Sequence, residues 1–313
     1  MSNARASATA FAPASVGNVA VGFDILGHSV AALGDRVRVS RRAEPGVVIR
    51  SIAGVVADLP LVAEKNTAGM AVLALNRELA LPFGFELEIE KGIPLGSGLG
   101  GSAASAVAAV VAAAALVDEP LDRTRLLKFA MQGEAVASGS VHVDNIAPSL
   151  FGGLVLTVGI DNPYVKQIPV PETVRCVLVH PHMVLATREA RAILRGTVEL
   201  SDVIWQQANL AGFLAGCYTS DLPLIRESLL DVLIEPQRQV LIPGFVEVKQ
   251  AALAAGALGC SISGAGPTVF AWAEQPDADN VRSEMVAAFR KHGLGTDSWV
   301  SPIDREGARV VGA

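Results

Sequence analysis

Apolar and charged residues alternate most cleanly at Phe85, Leu87 and Ile89, which are separated by Glu86, Glu88 and Glu90. A period of two predicts a strand with one buried and one wet face, as in an antiparallel or mixed sheet. Val37, Val39 and residues 47–49 predict further strands. Residues 66–79 have helical spacing, and an alanine-rich helix is expected from about Ser102. Residues 103–117 are apolar apart from Ser105. That run is shorter than the ~18–20 residues a bilayer span needs, so it predicts a helix buried on all sides. Asp122 can cap a helix to about Gly139, Pro148 predicts a break, and a strand is expected over residues 151–158. Asp161, Asn162 and Pro163 mark a loop-like boundary. Beyond it the pattern predicts a strand at 174–180 and helices starting at Thr187 (as cap), at Ser201 or Asp202, at Asp221 and near Val246. A hairpin turning at Gly264 to Pro267, a helix from Asp277 to Gly293 and a last strand follow. Strands and helices interleave without strict βαβ order, which predicts two α+β domains, residues 1–163 and 164–313.

Length supports the division, because 313 residues exceed one comfortable core. The 51% hydrophobic fraction argues against disorder. With a net charge of −6 and no lysine- or arginine-rich run, the chain lacks the basic footprint of a nucleic-acid or anionic-membrane partner. The residues up to Ser15 are small and polar and do not read as a secretory signal. Cys176, Cys217 and Cys260 are widely spaced in apolar contexts, which suits buried thiols in a reducing cytoplasm.

The densest chemistry is the segment Pro94, Leu95, Gly96, Ser97, Gly98, Leu99, Gly100, Gly101, Ser102, Ala103, Ala104, Ser105. Four glycines in six residues let backbone N–H groups face an anion, and the following helix adds the positive end of its dipole. Ser97, Ser102 and Ser105 offer hydroxyls for phosphate or magnesium. A tight turn into a buried helix would need fewer glycines. A Walker loop needs lysine where Ser102 stands. A dinucleotide fingerprint needs its first glycine directly after a strand and an acidic residue ending a second one. Here four residues separate the strand from Gly96, and Asp118 and Glu119 fall between helices.

This segment resembles the second motif of the GHMP kinase superfamily. Two other segments fit the same family, and together the three span nearly the whole chain. Residues 13–27, with Asn18, Gly22, Asp24 and Gly27, resemble the first motif in its homoserine kinase form. Residues 261–270, with Gly264, Gly266, Pro267 and Thr268, resemble the third. Gly101 departs from the pattern, since many relatives carry a serine there. The resemblance implies a ribosomal-protein-S5-domain-2-like N-terminal domain and a ferredoxin-like α+β C-terminal domain. It also implies ATP and Mg2+ as cofactors, L-homoserine as the small-molecule substrate, and a lean toward a homodimer.

The same resemblance assigns residues. Ser102 and Glu134 match the family's magnesium positions, although Glu134 alone could be an exposed helix glutamate. Asn145 matches the residue facing the phosphate, with Asp144 beside it on the substrate. Without the family, His142, Asp144 and Asn145 could equally form a turn with Asx bonds. A zwitterion needs carboxylates for its ammonium and arginines for its carboxylate. Asn18, Asp24, His142, Asp144, Thr187, Arg191, Arg238 and Gly264 are the candidates, while Arg188 and Arg195 share the helix face of Arg191. Asn66 stands where relatives contact adenine, or caps a helix. Gly264 and Gly266 shape a loop near the substrates, or a plain hairpin turn. A kinase for a mevalonate-like acid or a sugar, and an inactive nucleotide-binding relative, are the alternatives.

Overall fold

The computed structural model describes residues 6–138, 142–159 and 162–312. The first half runs β1 (Ser7–Gly17), β2 (Leu26–Arg42), β3 (Val47–Gly54), α1 (Thr67–Glu78), β4 (Gly84–Lys91), α2 (Gly101–Ala114), α3 (Arg123–Ser138), α4 (Val143–Phe151), β5 (Leu154–Val158) and β6 (Tyr164–Ile168). The second half runs β7 (Val174–Pro181), α5 (Thr187–Ala192), α6 (Leu200–Thr219), α7 (Leu222–Ser228), α8 (Glu235–Arg238), α9 (Phe245–Ala254), β8 (Gly259–Ile262), β9 (Val269–Glu274), α10 (Ala278–Lys291), β10 (Thr296–Ser301) and β11 (Arg309–Val310).

The strands form two sheets. The larger has the order β11-β1-β2-β4-β3, with β5 pairing β2 and β6. Only the β3–β4 pair is parallel among its described pairs. The smaller has the order β10-β7-β9-β8 and is antiparallel throughout. Numbered within its own half, that is strand order 4-1-3-2 with helices in the two crossovers, the ferredoxin-like arrangement the resemblance implies.

The expected helix at 103–117 forms as α2 and is buried on nearly every side. Alanine carries the highest helix propensity, and its small side chain lets the helix lie close against β1 and β2. Asn66 caps α1 by accepting from the Ala68 N–H, and Asp221 caps α7 by accepting from Leu224. Helices α6, α9 and α10 also lie where the pattern puts them. The three cysteines are buried and free.

Some expectations give way. The chain does not break at Pro148: α4 runs through it to Phe151, and the strand starts at Leu154 after Gly152 and Gly153, both at positive φ. In so short a helix the proline removes only the bond to the carbonyl of Asp144, in the first turn. Thr187 is the first residue of α5, and Ala186 holds the cap position without a side-chain bond. The larger sheet also continues past position 163, since β6 pairs with β5 and β11 returns to pair with β1. The sheets therefore part between Ile168 and Val174, because pairing and not loop-like composition decides which sheet a strand joins. Asp161 itself lies outside the described residues, as do Gly139, Ser140 and Val141.

One buried ion pair ties the larger sheet to α2. Phe85, Leu87, Ile89 and Lys91 share the buried face of β4, and Asp35, Val37 and Val39 share that of β2. The ladder pairs Arg36 with Glu90 and Val37 with Ile89, so Asp35 stands opposite Lys91. Lys91 donates to Asp35, to the Gly101 carbonyl at 2.8 Å and to the Ser105 hydroxyl at 2.8 Å. Ser105 donates to Asp35 at 2.6 Å, and the N–H groups of Gly92 and Ile93 also donate to it. Removing one partner of such a pair strands a buried charge, at a cost of about 3–5 kcal/mol. Asp35→Asn should therefore lower unfolding stability by about that amount, measured in denaturant without nucleotide. Adding Lys91→Met should restore most of it, and an equally unstable double variant would contradict this account.

Candidate active site

The glycine-rich loop joins β4 to α2 and alternates left-handed glycines: Gly96 at φ 60°, Gly98 at 76° and Gly100 at 67°. Its carbonyls face away from the cleft into other segments. Gly96 accepts from the Leu185 N–H, Ser97 from the Thr268 N–H, Gly98 from the Ser263 hydroxyl and Leu99 from the Ser15 N–H. Among the described residues, none of the N–H groups from Ser97 to Gly101 donates to a backbone carbonyl. The loop is thus a ring of donors at the N-terminus of a buried helix, which is a site for an anion. Glycine is required by space as well as by φ. A Cβ at Gly98 would stand 2.4 Å from the Ser263 carbonyl, and one at Gly100 would stand 2.1 Å from the Ser15 hydroxyl.

The loop forms one wall of a cleft of about 820 Å³. Nearly every candidate residue faces this cleft, including Pro94, Asn66 and Thr187. Leu99 and Ala103 do not: both are fully buried in the core. Ser105 borders the cleft, but its hydroxyl is taken up by Asp35 and Lys91, so it holds the helix in place. Asn66 also spends its amide locally, accepting from Ala68 and donating to the Pro60 carbonyl. Lys65 and Thr67 beside it also border the cleft, whose apolar lining includes Leu59, Ile89, Ile93 and Leu95.

Ser102, in the first turn of α2, donates to Glu134 Oε1 at 2.8 Å. Glu134 is not the exposed helix glutamate: it is 4% exposed, and burial pushes its carboxyl up to about 7 despite Ser102 and the nearby Lys91. Asn145 sits in the first turn of α4, where its Oδ1 accepts from the Ser15 hydroxyl at 3.0 Å. That bond brings β1, α4 and the loop at Gly100 to one point.

At the other end of the cleft, charged groups converge. Asn18, Val19 and Ala20 are all left-handed, and so is Asp24. This costly stretch is fixed by the Asn18 side chain, which accepts from the Asp24 N–H at 3.0 Å and donates to the Gly264 carbonyl at 2.9 Å. Asp24 accepts from Arg191 at 2.8 and 3.0 Å, one to each oxygen. Arg238 is 3% exposed, donates to the carbonyls of Ala190 and Gly264, and lies over the Phe23 ring, as does Arg191. Asp24, His142 and Asp144 bring ligand atoms within 4.8 Å of one another. Asp144 Oδ1 is buried without a hydrogen-bond partner. Burial, and then Asp24, push the Asp144 carboxyl up to about 7. Burial, followed by Arg191, lowers the His142 pKa. Arg188 borders the cleft and Arg195 does not, its backbone N–H donating to Gln237.

Lys91, Asp35 and Ser15 escaped the sequence reading. The first two had a signal, since each has the parity of the apolar residues on its strand. Ser15 had one too, lying within the 13–27 segment that resembles the first motif.

The fold and cleft are those of a small-molecule kinase. Residues 66–153 match the family described as GHMP kinases N terminal domain, and residues 213–291 match GHMP kinases C terminal. The chain belongs to the GHMP kinases. Within them it stands with the homoserine kinases. It is 53% identical over 305 residues to the homoserine kinase of Xylella fastidiosa, covering 97% of this chain and 94% of that one. It is 45% identical over 318 residues to that of Chlorobium phaeovibrioides, covering 97% and 99%. The crystal structure of homoserine kinase from Cytophaga hutchinsonii superposes with a TM-score of 0.96 at 43% identity, over 99% of both chains. Among the described residues no helix is long and apolar enough to cross a membrane.

Gly100→Ala should abolish nucleotide binding measured by calorimetry, because it combines the left-handed penalty with the contact on Ser15. Gly100→Ala/Ser15→Ala removes the clash but keeps the penalty of about 1–2 kcal/mol, and should recover part of the affinity. Unchanged binding by Gly100→Ala would mean the nucleotide lies elsewhere.

Proposed function

We propose that the chain transfers the γ-phosphoryl group of ATP to the hydroxyl of L-homoserine, giving ADP and O-phospho-L-homoserine on the way to threonine. The observation that carries this reading is the convergence of Asp24, Asp144, Arg191 and Arg238 at the end of the cleft beyond the glycine loop. Two carboxylates and two guanidiniums suit an amino acid, with its ammonium on Asp24 and Asp144 near His142, and its carboxylate on Arg191, Arg238 and Asn18. Thr187 and Gly264 complete the walls.

The loop N–H groups receive the phosphates, and the apolar residues of the cleft wall receive the base. Ser102 and Glu134 supply a hydroxyl and a carboxylate 2.8 Å apart, oxygen donors that suit Mg2+. When bound there, the cation neutralises charge on the phosphate oxygens. Asn145 orients the transferring group but accepts no proton. In this reading the hydroxyl proton passes to the phosphoryl group as the loose transition state forms, and no side chain acts as base. Asp144 binds the ammonium in its ionised form.

ADP release should depend on homoserine and remain at background with mevalonate, galactose or no acceptor; equal or no release with every acceptor would refute the reading. Asn145→Ala should lower kcat by roughly 10²-fold without introducing a new pKa in the pH–rate profile.

The raised Asp144 pKa carries a sign. Its carboxyl gains a proton as pH falls through about 7, and with it loses its hold on the ammonium. KM for homoserine should therefore rise about tenfold per pH unit below that point, with KM for ATP flat. If kcat instead falls with a single pKa that Asp144→Asn removes, and homoserine binding survives that change, Asp144 is the base.

A further inference from the structure

Beneath the charged end of the cleft lies a second, much smaller cavity, bordered by Asn18, Asp231, Glu235, Arg238, Ile262 and Gly264. Its volume is about 10 Å³, that of a single water-sized sphere. Two of its walls are groups that also line the main cleft: the Asn18 amide and the Arg238 guanidinium, both donating to the Gly264 carbonyl. On a further wall is Glu235, 7% exposed, at the start of α8. Its Oε1 accepts from Lys249 of α9, while its Oε2 is buried with no hydrogen-bond partner. Asp231 cannot serve it, being itself an acceptor already used by the N–H groups of Leu233, Ile234 and Glu235.

Glu235 borders a cavity of this size and has a buried carboxylate oxygen without a hydrogen-bond partner, which together call for a donor that fits there. We propose that one ordered water occupies this cavity, and that Glu235 acts through it as a positioning residue for Arg238 and Asn18. The water donates one hydrogen to Glu235 Oε2 and accepts from the guanidinium or amide opposite. Lys249 fixes the carboxylate from behind. The chain Lys249, Glu235, water and Arg238 then sets the angle at which the guanidinium meets the substrate carboxylate. This role rests on the homoserine reading given above, whereas the water itself does not.

The test has two arms. A high-resolution crystal structure of the unliganded full-length chain should show a water within hydrogen-bond distance of Glu235 Oε2 and of Arg238 or Asn18. The Ser261 hydroxyl lies close enough to the same carboxylate to be an alternative donor. Finding it turned onto Oε2, with no density between Glu235 and Arg238, would overturn the proposal. In the second arm, Glu235→Met/Lys249→Met removes both charges together and so avoids stranding a buried lysine. It should raise KM for homoserine about tenfold and leave KM for ATP unchanged, a split that simple loss of packing would not produce. A folded double variant with unchanged homoserine KM, or with both KM values raised alike, would contradict the positioning role. If the double variant fails to fold, the crystallographic arm decides. Wild-type chain that ignores homoserine would refute the substrate reading and leave the crystallographic result to stand by itself.

Discussion

Four carbonyl groups in a row, from Gly96 to Leu99, are each bonded to a different part of the chain, and the site depends on that restraint. A peptide group that turns its carbonyl one way presents its N–H the other way. Anchoring the carbonyls in Ser15, Leu185, Ser263 and Thr268 therefore aims the loop donors into the cleft before any phosphate arrives. A flexible glycine loop would have to give up conformational entropy on binding, about 1–2 kcal/mol per residue. Here that loss is taken during folding. The same bonds make the loop, the proposed phosphate site, a junction: Ser15 lies on β1, Leu185 precedes α5, and Ser263 and Thr268 flank the β8–β9 turn. The two sheets meet where the nucleotide would lie.

The rear of the loop is held by charge. Lys91 donates to the carbonyl of Gly101, at the N-terminus of α2, where the helix dipole alone would repel a cation. Asp35 makes the placement tolerable by neutralising the lysine and collecting two loop N–H groups. Ser105 closes the triangle, which explains why it points inward and not toward the phosphates. Ser102, three residues earlier, is left to face Glu134. One helix turn thus separates a hydroxyl that fixes the helix from one that faces the cleft.

Much of this was legible in the chain, for physical reasons that differ by element. Strand β4 was evident because its two faces meet different surroundings, and α2 because a long apolar run bounded by glycines has few other fates. Strand β1 was not, since it is buried on both faces and built from small residues, leaving no alternation to read. Pro148 misled because a proline inside a short helix removes one backbone bond without ending the helix. The tail returning as β11 could not be seen because two residues carry no periodicity. At the site, motif residues were legible one by one, but their partnerships were not. Nothing local says that Arg191 reaches across 167 positions to Asp24, whereas the cap that Asn66 gives to its own helix was one of the two readings its position offered.

That partnership bears on which acceptor the cleft suits. With Asp24 and Asp144 ionised, the acceptor end holds two negative and two positive side chains, and Asp24 and Arg191 neutralise each other across the cleft. A zwitterion can separate them without changing the net charge, giving its ammonium to one and its carboxylate to the other. A mevalonate-like acid would satisfy the arginine and strand the aspartate, while a sugar would meet both with neutral hydroxyls in place of a full charge. Asp24 and Arg191 each keep about two-fifths of the side chain exposed, so solvent screens a stranded charge there and keeps the preference modest. In the proposed reading, the self-paired resting state favours a molecule that carries both charges, since each of its charges takes over one half of the pair.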